Sequence, residues 1–138
     1  WGWSYGGYMT LMTTLQAPCA FAAGVSGAPV TDWTLYDTAY TERYMDHPDA
    51  NFEGYQSSSV FAHLDNYETP LLLIHGMADD NVIFANSVRL YSEMQERRYP
   101  FEMMTYPGQR HGVRGEARQV HLWHTIFDYF DRKLKDGE

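Results

Sequence analysis

One cysteine, Cys19, stands in 138 residues, so no internal disulfide can form. With no second thiol and no metal-ligand pattern beside it, a small core residue is expected there rather than a reactive thiol. Basic residues are scarce as well: ten Lys and Arg against 18 Asp and Glu give a formal net charge of −8, with no basic stripe to offset it. A surface of that sign repels a phosphate backbone, and nucleic acid is excluded as an expected partner. No apolar run approaches the length that spans a bilayer, and the first residues lack the basic and apolar blocks of a signal peptide. Repeats and low-complexity tracts are absent too. What is present, 44% hydrophobic residues with 16% aromatics, is enough for the core of one ordinary domain.

The chain opens on its most informative stretch. Gly2-Trp3-Ser4-Tyr5-Gly6 fits the G-x-S-x-G pattern, in which a serine sits on a sharp strand-to-helix corner and glycines flank it because the backbone is crowded. Ser4 is the candidate nucleophile. The pattern further predicts a helix from Ser4 onward and partners in the order Ser, Asp or Glu, His. A buried strand should precede such a corner, yet only three residues do. The expectation is therefore an α/β fold that is the C-terminal part of an α/β-hydrolase, about three parallel strands flanked by helices, with upstream strands lying outside this chain.

Hydrophobic spacing gives the remaining elements. Tyr8, Leu11, Met12 and Leu15 share a helical face that Pro18 ends. Residues 21–27 are small and apolar and read as a buried strand. From Ala28 to Met45, Trp33, Tyr36, Tyr40 and Tyr44 alternate with polar residues, which suits a pocket wall better than a core helix. Residues 47–55 read as a loop and 57–64 as a short helix. Leu71-Leu72-Leu73-Ile74 is the strongest strand, followed by a helix over 83–98 with Val88, Leu90, Tyr91 and Met94 inward. A strand over 101–106 and a helix over 116–135 complete the chain, the last burying Val120, Trp123, Ile126, Phe127 and Phe130.

Serine acyl transfer needs a base for the hydroxyl proton and an acid to orient that base. Asp79 follows the central strand and His111 follows the next, both at the carboxyl ends where open α/β sheets bind ligands. Position alone leaves Asp80 in competition with Asp79. His75 closes a strand and reads as a hydrogen-bonded structural residue, while His47 and His63 carry no motif. His121 and His124 stand three apart on one helix, but no carboxylate or thiol lies at metal-site spacing, so no metal or other cofactor is expected.

Five blocks carry a resemblance. G-W-S-Y-G-G-Y-M (2 to 9), A-P-V-T-D-W (28 to 33), Y-T-E-R-Y-M (40 to 45), L-L-I-H-G-M-A-D-D-N-V (72 to 82) and R-H-G (110 to 112) together resemble the dipeptidyl peptidase IV branch of the prolyl oligopeptidase family of serine peptidases, its bacterial members most of all. The resemblance implies a triad of Ser4, Asp79 and His111 and one oxyanion donor from the Tyr5 backbone N–H. It also implies a proline-binding box of Tyr5, Val30, Trp33, Tyr36, Tyr40 and Val82, with Asn81 bonding a substrate carbonyl. Ile83 departs from relatives that carry histidine there. Proline-containing peptides are the implied partners and removal of N-terminal dipeptides the implied reaction. A tyrosine that completes the oxyanion hole, an acidic pair that holds the substrate's amino terminus, and a β-propeller belong upstream, so the separate fragment is expected to be inactive. Dipeptidyl and tripeptidyl release are not distinguished, nor periplasm from cytoplasm. Acylaminoacyl peptidase, esterase and a non-catalytic oligomerisation module are the rival readings. A homo-oligomer is expected, through an open sheet edge at Phe21 to Gly27 or through the C-terminal helix.

Overall fold

A computed structural model describes residues 1–135. Four parallel strands in the order β1-β2-β3-β4 form one sheet: β1 is Gly2–Trp3, β2 Gly24–Gly27, β3 Leu71–Gly76 and β4 Glu102–Tyr106. The helices are α1 (Tyr5–Gln16), α2 (Thr38–Met45), α3 (Phe52–Ser58), α4 (Ala85–Glu96) and α5 (Glu116–Lys135), with 3₁₀ turns at Pro18–Ala20, Trp33–Leu35 and Val60–Asn66.

The continuous apolar run of β3 is buried along its whole length, as a central strand covered on both faces requires. Side chains alternate across a strand, so the run feeds two cores. Leu71 and Leu73 join Leu11, Met12 and Leu15 of α1 and Leu90, Tyr91 and Met94 of α4. Leu72 and Ile74 turn the other way, to Val25 and to Leu122, Ile126 and Tyr129 of α5.

The α/β expectation holds, with several corrections. The strands number four, because Gly2 and Trp3 pair in parallel with Ser26 and Gly27, covering part of the edge expected to be open at residues 21–27. Strand geometry begins at Gly24, after a 3₁₀ turn that leaves Cys19 exposed rather than in the core. Residues 52–55, read as loop, open α3, because Asn51 Oδ1 accepts the Gly54 N–H at 3.2 Å. The helix expected over 57–64 is divided between α3 and a 3₁₀ turn, whose start is capped by Ser59 Oγ accepting from Phe61 N–H. Val88 of α4 is exposed, as are Val120, Trp123 and Phe127 of α5. Helix α5 carries two apolar stripes, and the sheet takes the one formed by Leu122, Ile126 and Tyr129, at i, i+4 and i+7.

Candidate active site

Ser4 occupies the corner between β1 and α1 with φ 60° and ψ −119°, a conformation that costs a non-glycine residue of the order of 1–3 kcal/mol and persists only where neighbours enforce it. Here they do so by hydrogen bonds and close packing. Ser4 N–H donates to Gly27 O at 2.8 Å, and Tyr8 N–H donates back to Ser4 O at 3.0 Å. A Cβ on Gly2 would stand 2.2 Å from Gly6 O, and one on Gly7 would stand 2.4 Å from Gly27 O. Gly6, the second glycine of the sequence pattern, has open space around its Cβ position. Close approach therefore demands Gly2 and Gly7 rather than both glycines of the pattern. Tyr5 is the first residue of α1, where backbone N–H groups have no intrahelical acceptor and point outward.

The loop after β3 holds Asp79 by its own backbone: Oδ1 accepts from Asn81 N–H at 3.0 Å and from Val82 N–H at 3.1 Å. Its other oxygen, Oδ2, lies 2.9 Å from His111 Nδ1, on the loop after β4. A carboxylate facing Nδ1 makes that nitrogen the N–H, so the lone pair of His111 sits on Nε2. Oδ2 also lies 3.1 Å from His75 Nε2, a second imidazole contact whose one trace in the sequence is the i, i+4 spacing of His75 and Asp79. Asp80 faces outward, where its carboxylate pairs with Arg110 at 2.8 Å across the two loops. The backbones of those loops are joined as well, Met77 N–H to Tyr106 O at 3.0 Å and Ala78 N–H to Gln109 O at 2.9 Å.

The Trp3 indole N–H donates to His111 O at 2.7 Å, tying the serine's strand to the histidine's loop. Ser4, Asp79 and His111 thus share one rim of the sheet. Asp79 and His111 are directly bonded; no hydrogen bond joins Ser4 Oγ to His111 among the described residues.

Beside the rim lies a cavity of about 520 Å³ lined by Tyr5, Tyr8, Trp33, Tyr40, Thr41, Tyr44, Met45 and Ser58. Its aromatic wall is interlocked: Trp33 stacks on Tyr40 with centroids 6.1 Å apart, and Tyr36 meets both edge-on at 5.9 and 5.3 Å. Of the residues assigned to the proline-binding box, Tyr5, Trp33 and Tyr40 line this cavity. Val30 and Val82 are buried in the core, as is most of Trp33. Tyr36 instead donates its hydroxyl proton to Asn81 Oδ1 at 2.8 Å, which leaves the Asn81 NH₂ group free to donate elsewhere. Burial, then the charge of Asp37, raises the Tyr36 pKa and keeps that proton in place. Tyr8, Thr41, Met45 and Ser58 are lining residues that the sequence did not mark; they come from three separate helices, α1, α2 and α3. Among the described residues no cluster of three or more His, Cys, Asp or Glu could hold a metal ion, and no helix is long and apolar enough to cross a membrane.

A parallel sheet with a serine on a positive-φ corner, and a carboxylate and an imidazole on the loops after its next strands, defines the C-terminal part of an α/β-hydrolase fold. Residues 1–137 match the model of the prolyl oligopeptidase family, and the chain belongs to that family. It is 44% identical over 132 residues to human dipeptidyl peptidase 8, a match that covers 91% of this chain and 15% of that protein. It is 49% identical over 121 residues to dipeptidyl peptidase family member 1 of Caenorhabditis elegans, covering 86% of this chain and 15% of that one. Crystalline dipeptidyl peptidase 4 of Porphyromonas gingivalis superposes with a TM-score of 0.93 at 37% identity, over 96% of this chain and 19% of its own. The chain therefore spans less than a fifth of these relatives.

Proposed function

We propose that these 138 residues are a segment of the catalytic domain of a larger serine exopeptidase, which removes dipeptides from the amino terminus of peptides after proline or alanine. The observation that carries this reading is the 2.9 Å bond between Asp79 and His111 Nδ1, on the same rim as the strained Ser4. His111 Nε2 takes the proton of Ser4 Oγ as the oxygen attacks the carbonyl carbon after proline. The carbonyl oxygen becomes an oxyanion, and Tyr5 N–H donates to it. His111 then gives its proton to the leaving amine nitrogen as the C–N bond breaks, leaving an acyl ester on Ser4. Water, deprotonated by the same imidazole, hydrolyses that ester. Asp79 accepts the Nδ1–H throughout and offsets the imidazolium charge.

Proline suits the adjoining cavity. A rigid apolar ring needs no hydrogen-bond partner between aromatic faces, and it loses little conformational freedom there. Asn81, turned by Tyr36, donates to a substrate carbonyl. Val30 and Val82 act by backing the rings from the core. The reaction as written needs no metal or organic cofactor.

The test is turnover of a Gly-Pro anilide by the polypeptide that carries this segment with its upstream sequence, beside labelling of Ser4 with a fluorophosphonate. Preference for an alanyl or acetyl-alanyl ester over the proline substrate would favour the acylaminoacyl peptidase or esterase reading. No labelling would favour a non-catalytic role. The family resemblance puts a second oxyanion donor upstream, and losing one such donor costs about a hundred- to a thousand-fold in rate. The 138 residues alone are accordingly expected to show little or no turnover, and rates equal to those of the longer polypeptide would overturn that expectation.

Self-association is proposed through α5. Val120, Trp123, Phe127 and Leu134 are exposed along one side of it, an apolar stripe of the kind that marks protein contacts. Sedimentation should show a dimer or larger species that Phe127→Glu dissociates; an unchanged sedimentation coefficient in that variant would count against this surface.

A further inference from the structure

His75 is the second imidazole on the carboxylate of Asp79. It is the penultimate residue of β3, it is 0% exposed, and all its polar atoms have partners inside the protein. Nε2 faces two acceptors, Val82 O at 2.9 Å and Asp79 Oδ2 at 3.1 Å, while Nδ1 faces Ser87 Oγ at 2.7 Å. Neither a carbonyl nor a carboxylate oxygen can donate, so the ring proton resides on Nε2, and Nδ1 accepts the hydroxyl proton of Ser87. The edge-on ring of Phe84, with centroids 5.5 Å apart, closes one side. Burial lowers the pKa of this imidazole, which agrees with a neutral ring carrying one N–H.

The bonding around Asp79 is then complete. Oδ1 is filled by two backbone N–H groups from its own loop, and Oδ2 is shared by the N–H groups of His75 and His111. The Asp79 side chain is 0% exposed, so no solvent stands ready to replace a lost donor. Rotation about the bond joining this planar carboxylate to its methylene moves both oxygens together, and the backbone donors on Oδ1 oppose it at one oxygen only. The His75 N–H, anchored in the central strand, opposes it at the other oxygen, and it leaves the remaining lone pair of Oδ2 for the loop that carries His111.

We propose that His75 is a positioning residue: its Nε2–H fixes Asp79 Oδ2 in the orientation that His111 Nδ1–H requires, so the strand sets the geometry of the base through the acid. This rests on the reading of Ser4, Asp79 and His111 as the catalytic set. It assigns to the histidine of the L-I-H-G stretch a role beyond filling the core.

Two variants test it. His75→Phe keeps an aromatic ring of similar size but removes both nitrogens; His75→Gln retains an N–H at the reach of Nε2. In the full polypeptide, with active sites titrated by fluorophosphonate, H75F should lower kcat about tenfold, less than the roughly hundredfold cost of a 1 Å misplacement, while KM stays within about twofold. H75Q should recover most of the loss. In the same polypeptide, the downfield proton signal of His111 Nδ1–H should move upfield or broaden in H75F and be restored in H75Q. Wild-type kcat together with an unshifted signal in H75F would overturn the proposal. So would equal losses in H75F and H75Q that follow their melting temperatures, the result expected of a residue that only fills space. If the wild-type polypeptide hydrolyses no proline amide, the functional reading fails instead, and the proton signal still decides whether His75 orients the Asp79–His111 bond.

Discussion

A methyl group on Gly76 would lie 2.3 Å from Arg110 O and 2.5 Å from Gln109 O, so the loop carrying His111 rests on the bare backbone at the end of β3. Gly76→Ala should push that loop away, costing about 1–3 kcal/mol by overpacking and most of the activity. Thermal melting and anilide turnover would measure the two effects, and wild-type values for both would refute the contact. Acidity acts on the next residue back. Burial lowers the His75 pKa from its ordinary 6.5, although Val82 O and Asp79 pull it partly back up. Below pH 6.5 the unfolded chain therefore binds a proton that the folded chain refuses, and stability present above that pH is lost as pH falls toward the folded value. Urea midpoints should be lower at pH 5 than at pH 7.5, and the difference should shrink in His75→Gln. Midpoints independent of pH in the wild type would contradict a buried neutral imidazole.

Among the elements, α5 separates burial from mere hydrophobicity. Ile126 is buried against β3 whereas Phe127, one residue on, is 60% exposed. Ile126→Ala should cost about 2–5 kcal/mol in urea unfolding, the range for truncating a packed aliphatic side chain. Phe127→Ser should stay within about 0.5 kcal/mol unless a partner covers it, so its cost should appear only as the protein associates. The aromatic turn and α2 form the second decisive element. Trp33 contacts Tyr5, Tyr8, Tyr36 and Tyr40 at once, with centroids 5.1–6.1 Å apart. Tyr40→Ala removes one exposed face of that wall and should raise KM for proline substrates roughly tenfold, about the effect of losing one aromatic contact, with less change for alanine ones. An equal rise for both substrates would argue against a proline-selective wall.

At the scale of the whole molecule, the rim is assembled by contacts between segments far apart in sequence. Trp3 holds the His111 loop, Met77 and Ala78 bond to the backbone beyond β4, and Asp80 pairs with Arg110. The last is a solvent-exposed pair, worth no more than about 1 kcal/mol. Arg110→Ala should consequently change turnover less than threefold, whereas Trp3→Phe, which removes the indole donor but keeps a ring, should change it more. The reverse ranking in kcat would mean that the surface pair and not the indole holds the loop.

Local chemistry made much of this legible. A glycine-flanked serine ahead of an amphipathic run, a continuous apolar strand and the Ser, Asp, His order each express a constraint acting over a few residues, and they were enough for the parallel α/β class and the candidate site. Spacing could not choose between Asp79 and Asp80, because both sit on the same loop; the fold separates them by turning one toward His111 and the other toward Arg110. It could not choose between the two stripes of α5, since either satisfies helical period, and only the position of the sheet buries Leu122 and Tyr129 in place of Trp123 and Phe127. Nor could it show that Gly2 and Trp3 form a strand, a state that two residues adopt only when Ser26 and Gly27 are there to pair with them. What a residue prefers by itself was written in the chain; which of two equally suited residues is buried, bonded or left in water depended on neighbours that only the folded backbone brings within reach.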